Sequence, residues 1–144
     1  MPAIGLRAIL VACLALSPLY ADSASEVIAL VGSMTAALTD VNVPEFMDAF
    51  DQNMPGYDDL KTNISALVNQ SDVTSSVETV QEGGDDKHRT IDLDWFLQVR
   101  SLVENGPIVE RRQVIHCELR KEKNKWKIVS LKPLDFFAPA KLDK

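Results

Sequence analysis

Between residues 109 and 131 apolar and polar side chains alternate twice around a Lys/Glu/Asn turn, which predicts an antiparallel hairpin with strands over 109–120 and 125–131. Ile115, Cys117 and Leu119 share one face and His116, Glu118 and Arg120 the other, because successive strand residues point to opposite sides. Trp126 and Ile128 repeat the apolar phase across the turn, whereas Val114, Val129 and Leu131 fall in the opposite phase. A second run from Lys87 to about Leu102 sets Ile91, Leu93, Trp95, Leu97 and Val99 on one side. A Val/Thr/Ser-rich strand over 73–82 precedes it across Glu82–Gly83–Gly84–Asp85–Asp86, and Asn105–Gly106–Pro107 turns it into the hairpin.

Upstream the period lengthens. Val27, Leu30, Val31, Met34 and Leu38 recur at threes and fours, predicting a helix that Ser23 and Glu26 open as a capping box. Asn42 and Glu45 form a second box before a short helix with Phe46, Met47 and Phe50, where Pro44 is tolerated in the first turn. Met54–Pro55–Gly56 ends it, and Leu60, Ile64, Leu67 and Val68 define a third helix. The expected class is α+β, with three N-terminal helices packed on a curved, four-stranded, mainly antiparallel sheet.

The 144 residues, 46% hydrophobic and 25% charged, suit one domain. Residues 1–21 differ in kind: Arg7 precedes the apolar run AILVACLALSPL and small Ala21 closes it, the pattern of a signal peptide. The expected organisation is a leader over 1–21 and a domain over 22–144 with a short charged tail, secreted or periplasmic after cleavage. The apolar run is too short for a membrane span. Leu10–Val11–Ala12–Cys13 also matches a lipoprotein box, with a lipid anchor at Cys13 as the alternative, but the apolar run continues past it to Leu19 and favours ordinary export.

Without the leader Cys117 is the sole cysteine, so no intramolecular disulfide is possible, and its phase makes it a small buried hydrophobe. One cysteine and two histidines argue against a structural zinc site. The net charge of −6 is unevenly spread: residues 22–61 hold eight acids and one base, residues 108–144 ten bases and five acids. Glu118 and Glu122 dilute the basic segment and the rest of the chain repels phosphate, so nucleic acid is not an expected partner. No phosphate loop, dinucleotide fingerprint, hydrolase elbow or HExxH motif occurs, and no cofactor is expected.

The helix–short helix–helix prelude, the strand with Asp94–Trp95–Phe96, the Arg111–Arg112 strand, and Trp126–Lys127–Ile128 followed by the apolar clasp Phe136–Phe137 resemble the NTF2-like, or SnoaL-like, superfamily of cone-shaped domains, as an exported bacterial member, over about residues 23–139. The resemblance implies a mostly apolar cavity for a small apolar molecule, lined here by Phe46, Phe50, Tyr57, Trp95, Ile115 and Trp126. For the superfamily's isomerase-, dehydratase- and cyclase-like members it implies a carboxylate base and a hydrogen-bond donor, with Asp51, Tyr57, Asp94 and His116 as the candidates. Strand phase turns Asp94 away from Trp95, and His116 away from Ile115 and Cys117; Asp51 and Tyr57 lie near the expected mouth. Arg111 and Arg112 point to opposite faces, one toward the mouth or toward Asp92 or Asp94. The resemblance also implies a homodimer through the outer sheet face, using Val114, Val129 and Leu131. Fold alone assigns no activity. The expected function is small-ligand binding or protein association, with a carboxylate enzyme and a structural dimerisation module as alternatives.

Overall fold

The computed structural model describes residues 22–140. The leader, with Arg7 and Cys13, and the last four residues of the tail lie outside the described residues.

Helix α1 (Ser23–Thr39) buries Val27, Val31, Met34 and Leu38. Its N-cap is Asp22 rather than Ser23: the Asp22 carboxylate accepts from Ser25 N at 2.8 Å. Ser23 is buried and donates to Asp86 instead, and the Glu26 side chain turns to Trp126 and Lys121, so no capping box closes. In front of α2 (Val43–Asp48) the first half of the box forms, Asn42 Oδ1 accepting from Glu45 N at 3.1 Å, while the Glu45 carboxylate accepts from the Asn42 side-chain amide at 3.0 Å and the Asn42 backbone N–H goes to Ala37 O. Phe50, expected inside this helix, lies beyond it. There the chain is captured by the last strand, with Asp51 N donating to Ile128 O at 2.9 Å and Ile128 N to Ala49 O at 2.8 Å. Gly56, at φ +82°, then starts α3 (Tyr57–Gln70), which buries Leu60, Ile64, Leu67 and Val68.

Strands β1 (Ser71–Gly84), β2 (His88–Ser101), β3 (Ile108–Glu122) and β4 (Lys125–Lys132) form one antiparallel sheet in that order. Ile91, Leu93, Trp95, Leu97 and Val99 are all buried beneath the helices, as their phase predicts. The chain is an open α+β cone, the class read from the sequence.

Two irregularities interrupt the pairing. In β1 the register shifts at Val80, and in β4 it shifts at Val129, since Glu118 faces Ser130 while the next residue, Leu119, faces Ile128. The extra residue reverses the phase of β4. Leu131, expected on the outer face, therefore points inward opposite Cys117 and is only 2% exposed. The sheet is also uneven in width. β4 pairs with β3 only over 116–122, so, among the described residues, 108–115 of β3 form an edge.

Candidate functional site

The interior between sheet and helices is built from the aromatic residues that the resemblance assigns to a ligand. Trp95 is completely buried, its indole N–H satisfied by Ser75 Oγ at 2.8 Å. The 3₁₀ turn Leu134–Phe137 drives Phe137 edge-on against Trp95, with centroids 4.9 Å apart, and Phe136 against Phe137 at 5.1 Å. Phe46 joins them, 5.9 Å from Phe137 and 5.4 Å from Phe50. Ile115 is fully buried in the same core. The apolar clasp Phe136–Phe137 is thus a plug, because a four-residue turn brings the chain to the inner side of the sheet. Trp126 sits at the rim, donating to Glu26 Oε1 at 3.0 Å with the Lys121 ammonium 5.9 Å from its ring centroid. Of the six expected lining residues, Phe50 and Tyr57 reach one open cleft and Trp126 another.

The four candidate catalytic residues separate into two groups. Asp94 lies on the outer sheet face in a forked pair with Arg112, at 2.7 and 3.1 Å, which holds its carboxyl below the ordinary 3.8. His116 is on the same face, Nδ1 against Asp92 Oδ1 at 2.5 Å. Neither can meet a substrate inside the cone.

Asp51 and Tyr57 come together in an open cleft of about 480 Å³ beside α2, with Met47, Lys61, Glu122 and Lys127. Both Asp51 oxygens are engaged: Oδ1 accepts from Asn53 N at 2.7 Å, and Oδ2 faces Arg120 Nη2 at 3.4 Å. The first bond shapes the loop between α2 and α3, and the second ties it to β3. Lys127 reaches across to the Asp48 carbonyl and carboxylate. Arg120, Glu122 and Lys127 were read only as parts of a basic hairpin. Nothing in local spacing signals their partnership with α2 and Asp51, 69 residues from Arg120.

Two further groups take no part in acid–base chemistry. Arg111 faces inward, half-buried, and donates to Phe136 O at 2.7 Å; burial lowers its proton affinity from the ordinary guanidinium range. The buried Cys117 thiol is pushed up to about 12, chiefly by desolvation and then by the Asp92 charge. Among the described residues no cluster of three or more His, Cys, Asp or Glu is arranged to hold a metal ion, and no helix is long and apolar enough to cross a membrane.

With this geometry, the chain aligns with solved structures of very different sequence. A conserved protein from Planctomyces limnophilus DSM 3776 superposes with a TM-score of 0.68 at 8% identity, over 74% of this chain and 90% of that one. An NTF-2-like protein of unknown function from Shewanella oneidensis MR-1 gives 0.59 at 11% identity, over 74% and 93%. A candidate scytalone dehydratase from Novosphingobium aromaticivorans DSM 12444 gives 0.66 at 11% identity, over 74% and 78%. No protein-family model and no curated protein matches the chain. At such identities the likeness defines the fold, an NTF2-like cone domain, and leaves the activity to the site itself.

Proposed function

We propose that this is an exported association domain that works through its surface rather than by chemistry inside the cone. The observation that carries the reading is the plug: Phe136 and Phe137 pack against Trp95, whose one polar atom is already satisfied. A small apolar ligand would have to displace them. The pairing of Asp94 with Arg112, and of His116 with Asp92, adds support, because it removes two of the four acid–base candidates from the interior. The same charged pairs also make the outer face a poor apolar dimer surface, and of the three residues expected to form it Val114 is half-exposed, Val129 partly buried and Leu131 buried.

Titration with the fluorescent probe N-phenylnaphthylamine tests the reading. No saturable uptake is expected; one probe bound per chain, with quenching of Trp95, would restore the ligand-binding alternative. The export part of the reading rests on the leader pattern, Arg7 ahead of an apolar run that small Ala21 closes. Mass spectrometry of protein recovered from the medium or periplasm is expected to show Asp22 as the first residue. A lipid mass on Cys13, or a retained leader, would count against it.

A further inference from the structure

We infer that the open half of β3 is a docking edge for a second copy of this chain, joined antiparallel about a two-fold axis at Arg111. The inference rests on the association reading above and names its partner. Natural sheets blunt an uncovered edge with proline, charged side chains, a bulge or a covering segment, and the charges of this edge, Glu110, Arg111 and Arg112, are of both signs, so a second copy can match Glu110 with Arg112. Residues 108–115, IVERRQVI, contain no proline or lysine and pair without a bulge to β2. Other edges in the sheet are managed. β4 carries the Val129 irregularity and is bridged at Ile128 by the α2–α3 loop, and β1 is irregular at Val80 and donates from Ser75 N to Thr39 Oγ1 on α1.

The backbone direction is set by two bonds. Ser101 N donates to Pro107 O at 3.0 Å and Lys121 N to Lys87 O at 2.9 Å, so odd-numbered residues of β3 address β2. Ile108, Glu110, Arg112 and Val114 therefore turn their N–H and C=O groups to the open edge. Their side chains share the outer face, and Ile108 and Val114 are 49% and 51% exposed.

That four-residue row is self-complementary. With Arg111 on the axis, Ile108 lies across from Val114 of the second copy and Glu110 across from its Arg112, and each of these pairs occurs twice. Arg112, 70% exposed, can bridge Glu110 of the second copy and its own Asp94. On the outer face, registers two residues to either side place Glu110 against Glu110 or Arg112 against Arg112, so the outer-face charges favour one alignment, which must offset the approach of the two Arg111 side chains on the inner face. On the inner face the axis brings Arg111 toward its own copy, where each guanidinium is anchored to Phe136 O.

Sedimentation velocity of the mature chain, from low-micromolar to near-millimolar concentration, is expected to show a monomer–dimer equilibrium. Val114→Pro removes an N–H that serves only the open edge, so it is expected to abolish the dimer while the fold persists. Glu110→Arg is expected to weaken dimerisation roughly tenfold or more, and the double variant E110R/R112E to restore it. A chain that stays monomeric throughout overturns the edge proposal. So does a dimer that survives Val114→Pro and is lost on Phe96→Lys, which would place the contact on the outer face. Monomers that also take up no N-phenylnaphthylamine would leave the association reading standing with a different partner.

Discussion

The indole N–H of Trp126 donates to Glu26 Oε1 across 3.0 Å, joining the last strand to the first helix between residues 100 positions apart. This bond, followed by the Lys121 charge, lowers the Glu26 proton affinity from its ordinary 4.5. Asp22 and Asp94 are lowered from 3.8, by the Ser25 hydrogen bonds and by Arg112 respectively.

All three carboxyls bind protons less readily folded than unfolded, so their contribution is complete above the unfolded values and is lost as pH falls through the lowered ones. Tm is expected to be flat above about pH 5 and to fall as the medium is acidified below about 4.5. Glu26→Gln should flatten that acid limb. A melting profile unchanged from neutral pH to pH 3 would contradict the assignment.

Phe137 is fully buried and touches Trp95, Phe46 and Phe136. Truncation to alanine is expected to destabilise by about 3–5 kcal/mol in urea unfolding. It should also open a cavity that takes up N-phenylnaphthylamine, which the parent chain does not. A small stability change with no probe uptake would mean that the plug is not what fills the cone.

Gly56 combines φ +82° with a neighbour: a Cβ there would lie 2.3 Å from Leu134 Cδ1. Gly56→Ala is therefore expected to cost more than about 1 kcal/mol, part conformational and part steric. Adding Leu134→Ala should relieve the steric part alone, so the two changes are expected to be non-additive in a double-mutant cycle. Strict additivity would remove the contact as a cause.

Cys117, buried and with its thiol pushed up to about 12, is expected to resist Ellman's reagent at pH 8 and to react at once in denaturant. Rapid labelling of the native protein would show that β3 opens far more often than its packing implies.

Much of this fold could be read directly because local pattern and tertiary environment agree. The period-two run through Trp95 and the Asn42–Glu45 cap are each specified within a few residues. The misreadings share a different origin. Leu131 was placed on the wrong face because Val129 and Ser130 are ordinary strand residues, and nothing in their identity announces an extra one. Phe136 and Phe137 were legible as an apolar clasp, but an aromatic pair after a strand does not reveal which core residues it packs against. In the candidate site, Asp51 and Tyr57 line the same cleft, yet Asp51's contact with Arg120 joins distant segments and has no local signature. Ser23 lost the capping position to Asp22 for the same reason, since burial against Asp86 is a tertiary event.

In a strand, the side of the sheet on which a residue falls is a running parity count, and Val129 adds one to it. Every residue downstream in β4 inherits the change, which is how Leu131 meets Cys117 in the core. A strand that kept Val129 but paired without the irregularity would reverse those sides, turning Leu131 to water and Lys132 inward, whereas deleting Val129 removes the extra residue and leaves Leu131 opposite Cys117. Retention of cooperative unfolding in that deletion variant is the expected result. The irregularity acts as a frameshift in space: the chain's composition is untouched, but only with the shift does it put its apolar residues inside.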